Sequence, residues 1–344
     1  MITGSFTALI TPFKKNAVDY EGLGKLADFQ IENGISGILA VGTTGESPTL
    51  AWDEHISVVE SVALKTKNKC VCIAGAGSNN TIESIEATKH AVDLGADAVL
   101  LVDPYYNGPS SLEIRREYIE PIAETFPGIQ LIPYIIPGRT GAQMLPEELA
   151  ILSEKYDNVN TVKEATGSID NMKRTRKCCG PDYSILSGDD PMTLQMMTDP
   201  EIKASGVISV ASNIAPKAVA DIVRLLQEDK QTEARAIVDA VEPLFQLVTV
   251  KTMEKTPYGE IACKARNPLA IKTLMSILGM PAGPCRRPLG KMTKNGLNKV
   301  LEVARTVQSA HPQIFQPAAD FFNIDIEERL NNPVYLEGLC YDHY

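Results

Sequence analysis

The sequence lacks the features that mark membrane, secreted and nucleic-acid-binding proteins. No apolar run approaches the roughly 18 residues that a membrane-spanning helix needs. The N-terminal segment MITGSFTALITPF has no basic stretch followed by an apolar one and a cleavage site, so we expect no signal peptide. The 33 basic residues are outnumbered by 43 acidic ones, and a net charge of −10 argues against binding to nucleic acid or an anionic membrane surface.

Motifs for bound metals and nucleotides are also missing. The four histidines are spread along the chain, and the cysteine pairs Cys70/Cys72 and Cys178/Cys179 lack metal-ligand spacing. There is no Walker A motif, no G-x-S-x-G motif and no complete dinucleotide fingerprint. We therefore expect neither a metal nor a cofactor. An odd number of cysteines, seven, in a chain this large indicates reduced thiols in the cytoplasm rather than a disulfide framework.

A repeated alternation of apolar runs and helical segments is what the sequence does contain. The apolar runs show little alternation of polar and apolar residues, as expected of strands buried on both faces. Helical periodicity occurs between them. This pattern predicts a (β/α)8 TIM barrel, with a doubly wound open sheet as the alternative. The eight predicted strands are residues 6–10, 38–41, 71–74, 98–102, 129–134, 159–163, 184–187 and 206–210.

The strand pattern stops after residue 210. Helical segments follow, and no glycine- or serine-rich linker separates them from the barrel. We predict a barrel over residues 1–228, a helical C-terminal subdomain packed on it over residues 229–310, and an aromatic-rich tail over residues 311–344. The aromatic content of the tail predicts docking on the same subunit or a neighbour rather than disorder. The predicted helices after the last strand are 215–228, 231–250, 267–278 and 294–308.

Lys163 and Tyr134 end two neighbouring predicted strands, where the active site of a TIM barrel lies. Burial disfavours the charged form of a lysine, and a neutral amine attacks ketones to form Schiff bases. A tyrosine hydroxyl nearby could relay protons to and from the carbinolamine. Each residue also has a structural explanation: a lysine that reaches solvent or pairs with Glu164, and an ordinary core tyrosine.

Groups suited to carboxylates follow two of the predicted strands. Thr43 and Thr44 lie in a glycine-bracketed turn whose hydroxyls and backbone N–H groups could hold a carboxylate. Arg139 follows the fifth strand, and its guanidinium suits a second carboxylate. A tight turn and a surface arginine are the alternatives. The convergence of amine, phenol, hydroxyl and guanidinium groups on one rim favours a catalytic site.

Six motifs together resemble the dihydrodipicolinate synthase/N-acetylneuraminate lyase family, from about residue 2 to about residue 307. They are GTTGES (42–47), PYYN (104–107), YIIPGRTG (134–141), VKEATG (162–167), GDD (188–190) and GVIS (206–209). The resemblance implies a Schiff-base aldolase on a TIM barrel. It is strongest to members that condense pyruvate with L-aspartate 4-semialdehyde to 4-hydroxy-tetrahydrodipicolinate in lysine biosynthesis. Such lyases need no metal, because the protonated imine is the electron sink.

The resemblance implies a catalytic group that spans two subunits. Lys163 would form the Schiff base, and Tyr134 would transfer protons during imine formation. Thr43 would link Tyr134 to Tyr106, which in this family reaches into the site of the neighbouring subunit. The chain is accordingly expected to form a homo-oligomer, a dimer of dimers.

Substrate-binding residues also follow from the resemblance. Thr43 and Thr44 would hold the pyruvate carboxylate, and Gly188 and Ile208 would line the pyruvate pocket. Arg139 would lie at the entrance and bind the carboxylate of the aldehyde substrate. In family members that lysine inhibits, it binds between two subunits. The matching positions here are Ser47, Trp52, His55, Asn79, Glu83 and Tyr105, and they are ordinary dimer-interface residues in the alternative interpretation.

Two departures from the family pattern keep other functions open. Ile135 follows Tyr134 where the family usually has asparagine, and Pro133 precedes it. The tail has no counterpart in the usual family length. The alternatives are a pyruvate-dependent aldolase or lyase for a sugar acid or another aldehyde, a metal-dependent aldolase, and a non-catalytic barrel that serves as a binding protein. Arg139 followed by Thr-Gly favours aspartate semialdehyde over sugar acids, and the intact set of Lys163, Tyr134 and Thr43 disfavours the non-catalytic barrel.

Overall fold

Eight parallel strands close into a barrel in the computed structural model, which describes residues 1–344. The first strand pairs with both the second and the last strand of the barrel, so the sheet has no free edge. The predicted TIM barrel is therefore confirmed and the open-sheet alternative is wrong. The strands are β1 (Gly4–Ala8), β4 (Gly37–Ala40), β5 (Val71–Gly75), β6 (Ala98–Val102), β7 (Gln130–Ile135), β8 (Thr161–Glu164), β9 (Ser184–Ser187) and β10 (Gly206–Ser209).

Helices cover the outside of the barrel and return the chain from one strand to the next. Side chains of Asp19, Asn80 and Ser168 cap three of them by accepting hydrogen bonds from backbone N–H groups. A small hairpin, β2 (Phe13–Lys14) and β3 (Ala17–Val18), precedes the first helix. The helices are α1 (Tyr20–Glu32), α2 (Trp52–Thr66), α3 (Thr81–Asp93), α4 (Ser111–Glu113) continued by a π-helical stretch (Ile114–Ile119) and α5 (Glu120–Thr125), α6 (Pro137–Thr140), α7 (Pro146–Lys155), α8 (Ile169–Cys179), α9 (Thr193–Thr198) and α10 (Pro216–Gln227).

Apolar side chains pack on both faces of the barrel wall, which explains why its strands show little alternation. One core fills the barrel interior and includes Phe6, Leu39, Ile73, Tyr134 and Ile208. A larger core of 77 buried residues lies between the strands and helices and continues into the C-terminal region. Because successive residues of a strand point to opposite faces, Tyr134 faces the interior while its neighbour in sequence faces the helices.

The C-terminal region contains a β hairpin that the sequence analysis missed. The segment predicted as one helix over residues 231–250 ends as α11 (Gln231–Phe245), and β11 (Thr249–Thr256) and β12 (Gly259–Arg266) follow. In β11 the residues alternate between the core and solvent, a period of two that distinguishes a strand from a helix. The helices α12 (Leu269–Leu278) and α13 (Lys294–Ala310) complete this region.

The tail packs on its own subunit through α14 (Gln316–Phe322) and α15 (Ile326–Asn331). Its two adjacent phenylalanine rings lie 5.3 and 5.1 Å from the Phe29 ring of α1, measured between centroids. Arg329 donates hydrogen bonds to two carbonyl oxygens at the end of α12 and stacks on Tyr335. The tail thus covers apolar surface and satisfies helix-end carbonyls.

Three further properties concern the whole chain. Its helices fall short of the length and apolar character that crossing a membrane requires. All seven cysteines are free thiols. No group of three or more histidine, cysteine, aspartate or glutamate side chains is arranged to hold a metal ion.

Candidate active site

Lys163 lies at the end of β8 with its amine inside the barrel. The side chain is almost fully buried, with 5% of the residue exposed. Tyr134 of β7 is its direct partner in the strand register, and the Lys163 Nζ lies 4.2 Å from the centroid of the Tyr134 ring. The parallel register therefore brings the predicted nucleophile and the predicted proton relay into contact.

Burial controls the charge of the Lys163 amine. Loss of solvation lowers its pKa to about 8, while the negative charges of Asp189 and Asp190 oppose this shift and the positive charge of Arg139 adds to it. Both aspartates act through space rather than through a hydrogen bond to the amine. The neutral, nucleophilic form of Lys163 is thus about a tenth of the population at pH 7.

Tyr134 is buried to the same degree but responds in the opposite direction. Burial raises the pKa of its phenol to about 12, while Arg139 and the nearby Thr43 hydroxyl lower it. The phenol therefore keeps its proton at neutral pH and can donate it to an oxygen atom bound above Lys163.

A cavity of about 410 Å³ opens at the C-terminal ends of the strands, and Tyr134 of this pair lines it. Tyr134, Thr43 and Arg139 line one part of it. The opposite part is lined by most of the residues predicted to bind lysine, namely Ser47, Trp52, His55, Glu83 and Tyr105. Asn79 is exposed and does not line the cavity; its side-chain oxygen accepts a hydrogen bond of 2.7 Å from the Tyr105 backbone N–H.

The far part of the cavity combines a carboxylate with aromatic rings. The Glu83 carboxylate accepts a hydrogen bond from the Ser78 hydroxyl. The rings of Trp52 and His55 are 5.2 Å apart, and burial lowers the pKa of His55 to about 4, so this imidazole is neutral at pH 7. These groups suit a ligand that has both an ammonium group and an aliphatic stem.

The Thr44 side chain is held by a residue of the C-terminal region. Its side chain is buried, 2% exposed, and the hydroxyl accepts a hydrogen bond of 2.9 Å from the Asn267 side-chain amide. It does not line the cavity wall as Thr43 does. Asn267 lies in the C-terminal region, 223 residues later in the chain, and the sequence analysis gave no indication of this contact.

Gly188 lies beside the Lys163 side chain, and Ile208 lies in the barrel interior. A Cβ atom at Gly188 would be 2.7 Å from the Ala165 Cβ and 3.2 Å from the Lys163 Cε, so the lysine occupies space that a larger residue would take. Ile208 belongs to the core inside the barrel.

Ile135, one of the departures from the family pattern, lies away from the cavity. Its side chain belongs to the core between the barrel and the helices, on the opposite face of β7 from Tyr134. Replacing the usual asparagine there leaves the cavity wall formed by Tyr134 and Ile136 in place.

Tyr106 is separated from the other predicted catalytic residues. It is 87% exposed and does not line the cavity. In one subunit, the structure brings Lys163, Tyr134 and Thr43 together but leaves Tyr106 at the surface.

Asp189 and Asp190 have roles that the sequence analysis did not assign. The Asp190 carboxylate accepts hydrogen bonds from the backbone N–H groups of Val210 (2.9 Å) and Ala211 (3.1 Å), which ties the loops after β9 and β10 together. The Asp189 charge acts directly on Lys163. Their position after a strand end, next to the strand that carries the lysine, is the signal that could have identified them.

Comparisons with known proteins show which family the chain resembles. The sequence model described as "Dihydrodipicolinate synthetase family" matches residues 1–308. A protein of Methanococcus aeolicus named 4-hydroxy-tetrahydrodipicolinate synthase is 41% identical over 297 residues, which is 86% of this chain and 96% of the relative.

Two solved structures are also similar. The 4-hydroxy-tetrahydrodipicolinate synthase from Methylacidiphilum fumariolicum SolV is 36% identical with a TM-score of 0.83, covering 92% of this chain and 99% of that one. DHDPS from Cyanidioschyzon merolae with lysine bound is 34% identical with a TM-score of 0.80, covering 89% of this chain and 98% of that one.

The reactivity of Lys163 should follow its lowered pKa. Labelling with acetic anhydride across pH 6 to 11, followed by peptide mapping, should show Lys163 becoming reactive with a midpoint near pH 8. Asp189→Asn removes a negative charge that raises this pKa, so the midpoint should fall. Asp182→Asn, a change at an exposed position, is the control and should leave it unchanged. A wild-type midpoint near the ordinary lysine value of about 10.4 would contradict the effect of burial.

Proposed function

The chain belongs to the dihydrodipicolinate synthetase family, and we propose that it condenses pyruvate with L-aspartate 4-semialdehyde to form 4-hydroxy-tetrahydrodipicolinate. The observation that carries the proposal is the buried Lys163 amine beside the Tyr134 ring. In this role the enzyme is a lyase of lysine and diaminopimelate biosynthesis. Free cysteine thiols are consistent with a cytoplasmic location.

The proposed reaction begins at Lys163. Its neutral amine attacks the C2 carbonyl of pyruvate to give a carbinolamine, which loses water to become an imine. Tyr134 donates a proton to the departing oxygen. The nearby Thr43 hydroxyl then passes a proton back to the phenol. Loss of a C3 proton gives the enamine, which attacks the aldehyde carbon of the second substrate. The amino group of that substrate then displaces Lys163 as the ring closes.

The second substrate is the point at which related functions diverge. Arg139 lines the cavity beside Tyr134, and its guanidinium suits the carboxylate of aspartate semialdehyde. A sugar acid would instead need hydroxyl-binding groups around its chain. The cavity wall next to Tyr134 is apolar, with Leu100, Val102 and Ile136, which disfavours that alternative.

The Schiff base is tested by trapping it. Sodium borohydride added with pyruvate should attach one reduced pyruvate to the wild-type chain at Lys163, as intact mass and peptide mapping would show. Lys163→Ala should form no adduct and lose nearly all turnover. Lys272 provides a control within the same chain, because it is equally buried but forms an ion pair with Glu46. An adduct on Lys272, or none on the folded wild-type protein, would overturn the proposed chemistry.

The proposed assembly is a homo-oligomer, a dimer of dimers, in which Tyr106 acts in the site of a partner subunit. Its exposure and its distance from the cavity of its own subunit support this role. Chains carrying Tyr106→Phe and chains carrying Lys163→Ala should each be impaired alone. Mixed by unfolding and refolding, they should regain activity, because some sites then receive an intact Lys163 and an intact Tyr106. Verified hetero-oligomers without recovered activity, or a monomeric enzyme at working concentration, would contradict the shared site.

We further propose that L-lysine binds in the far part of the cavity and lowers activity. Glu83 would accept the ammonium group, and Trp52 and Tyr105 would contact the aliphatic stem, while Ser47, His55 and Asn79 would complete the site. A solved relative that carries bound lysine supports the idea.

The lysine site is tested with Glu83→Gln, which removes the charge while keeping the shape. Calorimetry should show a loss of about 1.5–3 kcal/mol in lysine affinity, the range for a hydrogen bond to a charged group. Turnover without lysine should barely change. Glu86→Gln, one turn further along α3 and exposed, is the matched control. If the wild-type protein does not bind lysine at millimolar concentration, the regulatory proposal fails and the catalytic one is unaffected.

A further inference from the structure

The last residues of the β11–β12 hairpin reach the barrel rim. Arg266 ends β12, and its guanidinium donates a hydrogen bond of 3.3 Å to the Gly138 carbonyl oxygen. The next residue, Asn267, accepts a hydrogen bond of 3.4 Å from the Arg139 guanidinium on its own carbonyl oxygen. Two adjacent residues of the C-terminal region therefore make hydrogen bonds with the segment that carries Arg139.

Asn267 also contacts the turn that carries Thr43 and Thr44. Its side chain is 6% exposed, and its amide nitrogen donates to the Thr44 hydroxyl oxygen at 2.9 Å. The backbone N–H of Asn267 donates to the Val248 carbonyl oxygen at 2.8 Å, which fixes where the side chain starts. A hydroxyl whose oxygen accepts from an amide has its proton free to donate elsewhere, and a carboxylate only accepts.

We propose that Arg266 and Asn267 are positioning residues, each of which positions one of the two carboxylate-binding groups of the site. Asn267 holds the Thr44 hydroxyl and with it the turn whose other threonine, Thr43, lines the cavity where the keto-acid carboxylate would bind. Arg266 fixes the segment around Arg139 and adds a second positive charge at the entrance for the aldehyde carboxylate. This inference rests on the proposed function, because it assigns one of the two substrates of the proposed reaction to each residue.

Substitutions at these two residues can change the charge or the hydrogen-bond donor while the shape of the side chain changes little. Asn267→Asp is nearly isosteric but replaces the amide donor with an acceptor, which draws the Thr44 proton toward itself and places a negative charge near the pyruvate carboxylate. Arg266→Gln shortens the side chain and removes the charge, while Arg266→Lys keeps the charge. Lys255→Gln, at the exposed far end of β11, removes a positive charge of the same hairpin without contacting the rim.

Steady-state kinetics with both substrates should give a crossed pattern, in which each variant impairs the use of only one of the two substrates. Asn267→Asp should lower kcat/KM for pyruvate by about ten- to hundredfold and leave kcat/KM for the aldehyde nearly unchanged. Arg266→Gln should lower kcat/KM for the aldehyde by about two- to fivefold, an effect that weakens at high salt, and spare the value for pyruvate. Arg266→Lys should restore most of the loss, and Lys255→Gln should match the wild type.

Other outcomes would overturn the inference. Equal losses for both substrates would indicate a structural role alone, and unchanged values in both variants would indicate none. If Asn267→Asp does not fold, Thr44→Val carries the same expectation for pyruvate. The rate of pyruvate adduct formation under borohydride tests the Asn267 part without the aldehyde. A wild-type enzyme that forms the adduct but does not turn over aspartate semialdehyde would refute the proposed function, whereas an active enzyme without the crossed pattern would refute this inference alone.

Discussion

Removal of the Lys163 amine from water is the constraint on which the rest of the site depends. The chain contains a second buried lysine, Lys272, whose exposure is 1%. Its ammonium donates to the Glu46 carboxylate at 2.6 Å and to the Thr11 carbonyl oxygen at 2.9 Å, so attraction to Glu46 opposes the lowering of its pKa by burial. Lys163 has aspartates nearby but none in hydrogen-bond contact, and its pKa falls to about 8. Lys272 has a carboxylate bonded directly to its ammonium and is a structural cation. Lys163 has none and can act as the nucleophile.

The same ion pair fixes the loop that carries the threonines. Glu46 lies in the left-handed backbone region with φ of 58°, in the GTTGES segment, and its second carboxylate oxygen accepts from the Arg286 backbone N–H at 2.8 Å. Lys272 and Arg286 belong to the C-terminal region, as does Asn267, which contacts Thr44. Breaking a buried ion pair by removing one partner costs about 3–5 kcal/mol. The barrel strands therefore place the lysine, while the chain beyond them holds the substrate-binding loop in shape.

Features that depend on nearby residues could be predicted from the sequence, and contacts between residues far apart in the chain could not. The barrel strands are short apolar runs with local signals, and each lies within two residues of its predicted bounds. Lys163 and Tyr134 were identified because strand ends in a closed barrel must meet on one rim. The contact between Asn267 and Thr44 joins residues 223 positions apart, and no local pattern records it. The hairpin was missed for a different reason, because residues 251–266 were assigned to no element although β11 alternates with a period of two.

Burial of Lys163 and Tyr134 against each other also assigns their roles. Low solvation disfavours charge on both groups, which lowers the pKa of the amine and raises that of the phenol to about 12. Both groups are therefore neutral over the same pH range, the amine with a free electron pair and the phenol with its proton. Once the amine has attacked a ketone, the oxygen that must leave needs a proton, and the phenol of the ring beside that amine can supply it. Arg139 and Thr43 lower the pKa of the phenol and so ease that transfer. One desolvated pocket thus prepares the nucleophile and its acid together, and nearby charges adjust the pKa of each.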